Sequence, residues 1–499
     1  MALNYAHITA DILDQVPAIL IETADQLDFN LFAVGGCVRD AIISKASGDI
    51  DIAVEGDAVK LAQVAAEGLN RAKTEIYGRF GTALFQVDGV KIELASCRAE
   101  SYSSESRKPV EVRSVPIQTD LKRRDFTINA LALGLNGSSK GQLIDQFNGV
   151  ADIENRIIRT PLAPAETFSD DPLRMLRAIR FASRLGFDIE EKTWQGITDS
   201  AARIEIVSQE RIGDELLKIM SGPDPVRGLR AMLATGLMDI VLPEISAMAG
   251  VEQVGKHHHK DVLKHTLQVL QNVVNASEDP ILRLAGLLHD VGKPLTKRFE
   301  PVVGWTFHGH EAVGAKMTYK IAKRLKLGKD KSSRLVNLVR LHMRPINLTT
   351  EGVTDSAIRR LMADTGESLD DQLILCRADI TTANPNKVDR YLNNFEEIER
   401  RMEDVEARDK MRHFQSPIRG AEIMQICGVE PGPLVGALKE RIEDAILEGE
   451  IANDYDEAKE FLLKVKDEVL MADPESLAEV RKQRARSRGN IDRNFKFPD

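Results

Sequence analysis

The chain of 499 residues is too long for one hydrophobic core and reads as three or four domains. Its 43% hydrophobic and 29% charged residues exclude a disordered chain. A net charge of −10 excludes a protein that is basic throughout, so any hold on nucleic acid must come from a local basic face. No apolar run reaches bilayer length, and the opening stretch carries aspartate but no lysine or arginine, fitting neither a signal nor a transit peptide. Cys37, Cys97, Cys376 and Cys427 are scattered without paired metal spacing, and a reducing, cytoplasmic location is expected.

In chain order, 31–34 reads as a strand, 37–43 as a short helix and 49–54 as a second strand. The run 82–97 is expected to be a hairpin turning at Asp88-Gly89, with alternating stretches on either side. The polar segment 99–120 reads as a mobile loop. Beyond residue 160 strand signals fade, and amphipathic helices at 170–187 and 209–220 open a long helical stretch. The fold class expected is α+β, a small mixed head followed by an all-α body, without internal repeats.

The head concentrates the chemistry. Asp49 and Asp51, two apart on a strand, present their carboxylates to one face, a costly arrangement unless a cation joins them. Hard oxygens of this kind suit magnesium. Gly35 and Gly36 lack side chains, so the backbone there can approach phosphates, with Arg39 one turn on. Glu93, on the second strand of the expected hairpin, is placed to complete a three-carboxylate cluster for in-line phosphoryl displacement. Each piece has a plainer reading: an outward strand face for the aspartates, an exposed strand position for Glu93. Further along, Arg123 and Arg124 are placed to meet phosphate or ribose, Asp125 to orient them, and Asn129 to offer a neutral hydrogen bond; a solvated basic face is the ordinary alternative.

Taken in order, "GGCVRD" with "DID", "RRDFTINALA", "DQFNGVADIENRIIRT", "DDPLRMLRAIRFASRLGF" and "ERIGDELLKIM" resemble the class II tRNA nucleotidyltransferases and bacterial poly(A) polymerases. The match spans residues 30 to 220. Ser44 stands where glycine is common in that family, and Asp170 where glutamate is usual. The resemblance implies a polymerase-β-like head at 1–150, a helical neck at 151–245, an HD metal-binding domain at 246–400 and a helical tail at 401–499. It also implies addition or repair of the tRNA 3′ CCA end from CTP and ATP, with magnesium in the head. Poly(A) addition, or addition of CC or A alone, stays open. An arginine-rich phrase typical of the poly(A) branch is missing, the chain reading "YGRFGTALF" there. A more distant alternative is an HD phosphohydrolase whose head only binds RNA.

"DDPLR" is expected to select the base. Asp171 accepts and Arg174 donates, which matches the amine beside a bare ring nitrogen on cytosine and adenine and mismatches uracil and guanine. Three residues apart, the two are expected on one helix face, where a simple salt bridge is the alternative. Arg174, Arg177, Arg180 and Arg184 form a stripe suited to triphosphate or RNA. Glu210, Arg211 and Lys218 are expected to brace that helix.

The second half carries a different set. His265, the pair His289-Asp290, and Asp379 resemble the ligand order of HD phosphohydrolases, and His310 and His342 resemble extra metal positions of that superfamily. Seven of the ten histidines fall between 257 and 310, and imidazole with carboxylate suits a transition metal or magnesium. Phosphatase or cyclic-phosphodiesterase activity and a metal-stabilised scaffold both remain readings of this domain. The basic stretch 479–495 reads as an RNA contact or a disordered tail. The partners expected are tRNA, CTP and ATP, with no membrane; the sequence sets no oligomeric state.

Overall fold

A computed structural model describes residues 6–44, 48–68, 73–77, 81–87, 89–103, 106–255, 258–301, 304–345, 354–381, 385–409 and 414–471. The basic stretch 479–495 and His257 lie outside the described residues, as do the side chains of His258 and His259. The chain packs as two units, Met1–Val241 and Leu242–Asp499. No helix among the described residues is long and apolar enough to cross a membrane.

The first unit begins with helices α1 (Ala6–Leu13) and α2 (Ala18–Gln26), then β1 (Asn30–Val34), α3 (Gly36–Ile42), β2 (Asp49–Glu55) and α4 (Ala58–Gly68). β3 (Lys73–Tyr77), β4 (Thr82–Val87) and β5 (Val90–Ser96) follow, then β6 (Arg98–Ser103), β7 (Ser106–Ser114), α5 (Ile117–Lys122), β8 (Leu131–Gly134), β9 (Leu143–Asp145) and α6 (Gly149–Glu154). Seven strands form one sheet in the order β3-β4-β5-β2-β1-β8-β9. β2 and β5 run parallel while the other neighbours are antiparallel. A parallel pair cannot be joined by a tight turn, so the chain leaves β2 through α4 and the β3–β4 pair before returning.

Alternation decides which side chains that sheet buries. Ile50 and Ile52 on β2, with Ile92 and Leu94 on β5, are fully buried beside Leu31, Leu61 and Phe85. Asp49, Asp51 and Glu93 point to the opposite, exposed side. The chain after α3 turns at Ser44, whose φ of 55° lies in the left-handed region, a physical reason for the glycine common at this position in the family it resembles.

Two expectations are corrected in this unit. Segment 99–120 is not a loop: β6 and β7 pair as an antiparallel ribbon, and α5 follows. Its alternating signal is confined to Val110 and Val112, too short to outweigh a polar composition, and cross-strand backbone pairing builds the ribbon. In the neck, 170–187 is not one helix. α7 (Pro164–Asp170) ends before Asp171, which is extended (φ −143°, ψ 100°), and α8 (Leu173–Leu185) starts after Pro172. A residue preceding proline is driven out of the helical region by the ring. α9 (Glu191–Ser200), α10 (Gln209–Met220) and α11 (Pro225–Ala234) complete the neck.

The second unit is mainly helical, though Glu252–Gly255 pairs with His258–Asp261 and Arg298–Glu300 with Gly304–Thr306. The boundary expected at 400/401 falls inside the helix Pro385–Asp409. Phe395, Ile398 and Met402 of that helix share one core with Ile358, Leu361, Ile423, Leu438, Ile442 and Leu462, so packing joins what the sequence reading divided. The 150/151 boundary likewise falls inside α6.

Gly149 shows how tightly the head is closed. A Cβ there would lie 2.2 Å from the carbonyl oxygen of Thr127, in the turn that carries Asn129. Gly149→Ala is expected to cost about 1–3 kcal/mol by overpacking, read as a lower midpoint of urea unfolding; an unchanged midpoint would mean that α6 shifts freely.

Candidate active site and metal centre

The parallel register of β2 and β5 sets Asp51 directly opposite Glu93, and Asp49 opposite Lys91. Asp49 and Asp51 share a face on β2, so three carboxylates stand together on the open side of the sheet. Desolvation and then the charge of Glu93 raise the pKa of Asp51, Asp49 adding to the rise while Arg124 and Lys91 oppose it. Three carboxylates on one face are favoured by a cation that joins them, and the donors are hard oxygens suited to magnesium.

Above the strands, Gly35 takes a φ of 72° at the start of α3. A Cβ on Gly35 would sit 3.0 Å from Nη1 of Arg124, so the missing side chain is what admits that guanidinium. Arg124 is tethered by Asp120 at 3.2 Å, and its Nε is buried without a hydrogen-bond partner. Arg123 is held by the same carboxylate at 2.5 Å and donates to the Arg98 carbonyl at 2.9 Å. The orienting residue is therefore the buried Asp120, one that sequence reasoning missed, and not Asp125. The signal that could have found it is helical spacing: Asp120 stands three and four residues before the two arginines.

Asp125 has another partner. Arg177 donates to its Oδ2 through Nε at 2.9 Å and Nη2 at 2.6 Å, while Asn129 Nδ2 donates to Oδ1 at 3.0 Å. Asn129 in turn accepts from Arg39 Nη1 at 2.5 Å. Arg39, Arg177 and Arg180 all pack around the Phe181 ring, with guanidinium carbons 5.2, 5.6 and 4.2 Å from its centroid.

The arginine stripe of α8 is accordingly divided among fixed partners. Arg180 is buried against Glu215 at 2.7 Å, a partner sequence reading did not name. Arg174 donates to the Thr167 carbonyl at 3.2 Å and to the Arg123 carbonyl. Asp171 pairs with Arg211 at 2.7 Å, and its Oδ1 accepts from the Leu173 amide at 3.2 Å. The expected common helix face for Asp171 and Arg174 is thus absent: Asp171 lies outside the helix, and each residue engages other groups. Of the expected braces, Arg211 holds Asp171 and Lys218 lies 3.0 Å from Glu215.

In the second unit, all six expected ligands converge from helix ends. His265 lies on the helix Val262–Ala276, capped by Asp261. His289 and Asp290 follow the helix Pro280–Leu288, His310 opens His310–Arg324, and His342 and Asp379 close Lys329–Leu341 and Leu369–Ala378. His265, His289 and Asp379 form one group with ligand atoms within 4.8 Å of one another, and Asp290, His310 and His342 form a second. Asp290 bridges them. Its Oδ2 lies 3.4 Å from His265 Nε2 and 3.2 Å from His289 Nε2, and its Oδ1 lies 3.4 Å from His310 Nε2. Gly292 lets the loop close, since a Cβ there would sit 2.2 Å from the His310 carbonyl.

The outer nitrogens fix the rings. Nδ1 of His289, His310 and His342 meets the carbonyls of Gly286, Phe307 and Val339 at 2.9, 2.9 and 2.7 Å. A carbonyl only accepts, so Nδ1 holds the proton and Nε2 turns inward with its lone pair, as metal-binding imidazoles require. Burial, with nearby imidazoles, presses the pKa of His342 down to about 3. Burial also opposes a charge on His289, yet Asp290 and Asp379 outweigh it and raise that pKa to about 10. His289 Nε2 is buried between Asp290 Oδ2 at 3.2 Å and Asp379 Oδ1 at 3.6 Å, without a well-aligned hydrogen bond to either. The pocket demands positive charge, and its donors fit divalent metal. Lys293, unremarked in the sequence reading, reaches Asp290 Oδ2 at 2.6 Å from one turn on.

A mixed-sheet head with three strand carboxylates, a helical neck and an imidazole-rich second unit define a nucleotidyltransferase of the poly(A) polymerase type. Residues 31–159 match the poly A polymerase head domain, 186–248 the probable RNA and SrmB-binding site of polymerase A, and 262–384 the HD domain. An A-adding tRNA nucleotidyltransferase of Deinococcus radiodurans is 32% identical, the alignment covering 86% of this chain and 94% of the relative. A CCA-adding enzyme of Lactiplantibacillus plantarum is 40% identical over 45% of this chain and 55% of its own. The fold resembles a solved apo CCA-adding enzyme with a TM-score of 0.59 at 23% identity, over 91% of this chain and 95% of that one. The chain belongs to the class II tRNA nucleotidyltransferase family. It is a metal-dependent nucleotidyltransferase with an HD domain.

The Asp125–Arg177 pair has a measurable signature. Burial raises the Asp125 pKa, but Arg177 and Asn129 outweigh it and hold the carboxyl at about 2. A depressed carboxylate stabilises above its ordinary value near 4 and loses that contribution as pH falls toward 2. Asp125→Asn is expected to cost about 2 kcal/mol at pH 7, with the gap to wild type narrowing between pH 4 and pH 2. Equal urea midpoints at pH 7 would show that the pair contributes nothing net.

Proposed function

We propose that this chain builds or repairs the 3′-terminal CCA of tRNA, using CTP and ATP, through magnesium held by Asp49, Asp51 and Glu93. The observation that carries the reading is the in-register Asp51–Glu93 pair with Asp49 beside it, the charge of Arg124, which the Gly35 turn admits, acting on Asp51. Bound magnesium would offset charge on the attacking and departing oxygens. The tRNA 3′ hydroxyl attacks the α-phosphorus, and pyrophosphate leaves. Arg124, tethered by Asp120, supplies a guanidinium beside the phosphates at the turn that Gly35 and Gly36 keep open, and Arg39 fixes the position of Asn129. Arg177 and Arg180, committed to Asp125 and Glu215, support the nucleotide site by positioning α8.

Base selection falls to Asp171 and Arg174 in this reading. Asp171 accepts from the exocyclic amine of cytosine or adenine, and Arg174 donates to the ring nitrogen. Their present partners, Arg211 and the carbonyls of Thr167 and Arg123, must be exchanged for the base edge. Arg211 then serves as the residue that holds Asp171 until a base arrives. Head at 1–150, neck at 151–245, HD domain at 246–400 and tail at 401–499 are the functional parts of this reading, although packing does not divide at each boundary. The place of action is the cytoplasm. The HD cluster is a second divalent-metal centre, of transition metal or magnesium, with phosphohydrolase chemistry.

A-only addition is the second reading, supported by the relative from Deinococcus radiodurans that aligns over most of the chain. The deciding experiment offers tRNAs ending before, within and after CCA with single labelled nucleotides. Full CCA addition predicts CMP incorporation on the shortest tRNA, then AMP; label from ATP alone, and only on tRNA ending in CC, would establish the A-only reading. Asp49→Ala and Asp51→Ala should each lower addition by more than about 100-fold while tRNA binding persists, and robust addition by the double variant would overturn the metal reading.

Discrimination is tested separately. Asp171→Ala and Arg174→Ala should reduce CTP and ATP use and improve UTP and GTP relatively, because unmade buried hydrogen bonds cost about 1–3 kcal/mol each. The measurement is kcat/KM for all four nucleotides; unchanged ratios in both folded variants would place selection elsewhere.

A further inference from the structure

His265 differs from the other three histidines of the HD cluster in what holds its outer nitrogen. Nδ1 of His289, His310 and His342 meets the carbonyl of the residue three positions earlier, so each of those rings is fixed by its own local backbone. Nδ1 of His265 instead meets the hydroxyl of Thr381 at 3.0 Å, a partner 116 residues along the chain.

The inner nitrogen faces the same distant segment. Nε2 of His265 lies 3.0 Å from Oδ1 of Asp379, two residues before Thr381. The stretch that closes Leu369–Ala378 thus touches both nitrogens of one imidazole, Asp379 on the inside and Thr381 on the outside. Asn272 adds a second tie from the His265 helix, its Nδ2 donating to the Ala378 carbonyl at 2.8 Å. Residues seven apart on a helix share a face, so His265 and Asn272 hold Val262–Ala276 to residues 378–381 at two points. The His265 side chain is only 8% exposed, which leaves little water to replace a lost partner.

We infer that Thr381 is a positioning residue for the metal group built on His265, His289 and Asp379. The inference rests on reading the cluster as a divalent-metal centre. Its hydroxyl oxygen accepts from Nδ1–H of His265, which leaves the Nε2 lone pair turned inward, as the carbonyls do for the other rings. Without that acceptor the other tautomer is favoured, with the proton on Nε2 donated to Asp379 Oδ1. That tautomer has no inward lone pair and cannot ligate. Asp290, His310 and His342 escape this dependence, since both of those rings are held by carbonyls.

The test is metal binding by the full chain carrying Asp49→Ala and Asp51→Ala, which removes the carboxylate pair of the head. Chelator-stripped protein is titrated with cobalt(II), whose visible absorption reports ligation by imidazole. Thr381→Val keeps the side-chain shape and removes the hydroxyl; it should weaken cobalt binding about 10–100-fold and shift the absorption band. Thr381→Ser should restore both. Asn272→Ala loosens the same segment without touching the imidazole, and should leave the band of bound cobalt unchanged. In the zinc-loaded parent, nitrogen NMR of the histidine side chains should find the His265 proton on Nδ1, a measurement that needs no substitution at 381. Parental affinity and band in Thr381→Val, or a His265 proton on Nε2 in the zinc form, would overturn the inference. Equal losses in Thr381→Val, Thr381→Ser and Asn272→Ala would overturn it too, by showing a contact that only holds the segment. A parent protein that binds no cobalt would overturn the metal centre itself, whereas tight binding indifferent to Thr381 would overturn the positioning role alone.

Discussion

Two carboxylates forced opposite each other, Asp51 on β2 and Glu93 on β5, impose a repulsion that the head is arranged around. The pairing is parallel, so no tight turn can make it, and α4 with the β3–β4 pair is the chain needed to return the second strand. Ile50, Ile52, Ile92 and Leu94 fix which face turns outward, because a slip of one residue would bury all three acids. Hydrophobic burial thus stabilises the register, and the register holds like charges together on the open face of the sheet. Desolvation first, and then the charge of Glu93, raise the pKa of Asp51.

A second constraint operates in the neck, where arginines are numerous and nearly all engaged. Arg39, Asn129, Asp125 and Arg177 form a continuous hydrogen-bonded chain from α3 to α8. Arg180 and Glu215 are both buried, and removing one partner of such a pair typically costs about 3–5 kcal/mol because the other charge is stranded. These guanidiniums also surround Phe181, which places an aromatic face where cationic carbon planes can rest. Most of the stripe therefore fixes the angle and position of α8. Asp171, extended just before Pro172, and Arg174, in the first turn of α8, engage other groups, Arg211 and the carbonyls of Thr167 and Arg123.

Sequence patterns reveal periodicity and donor sets more readily than partners. The strand alternation of Asp49–Asp51 and the strand bearing Glu93 were legible from spacing, and the gathering of His265, His289, Asp290, His310, His342 and Asp379 was expected from the family resemblance. Pairing among arginines and acids was not, since a chain with 67 basic and 77 acidic residues offers far more combinations than spacing can sort. That is why Asp120 was overlooked and Asp125 was given the wrong arginines. The break at Asp171-Pro172 had a local signal, a proline two residues into the expected helix, that the amphipathic pattern outweighed. The boundary at 400/401 falls inside the helix Pro385–Asp409, because a long polar-faced helix gives no sign of which neighbours its apolar stripe will share.

The two centres differ in ways that keep their chemistries apart. The head offers only hard oxygens, on an exposed sheet face, which leaves room for phosphate oxygens and water around a magnesium ion. The HD cluster offers four imidazoles with the buried Asp290 and the half-buried Asp379, each inward Nε2 set by an outer hydrogen bond at Nδ1. Asp290 divides its two oxygens between the groups, so a change in one half is felt in the other through a single side chain. Lys293 adds a positive charge to that same carboxylate and so competes with metal for its Oδ2.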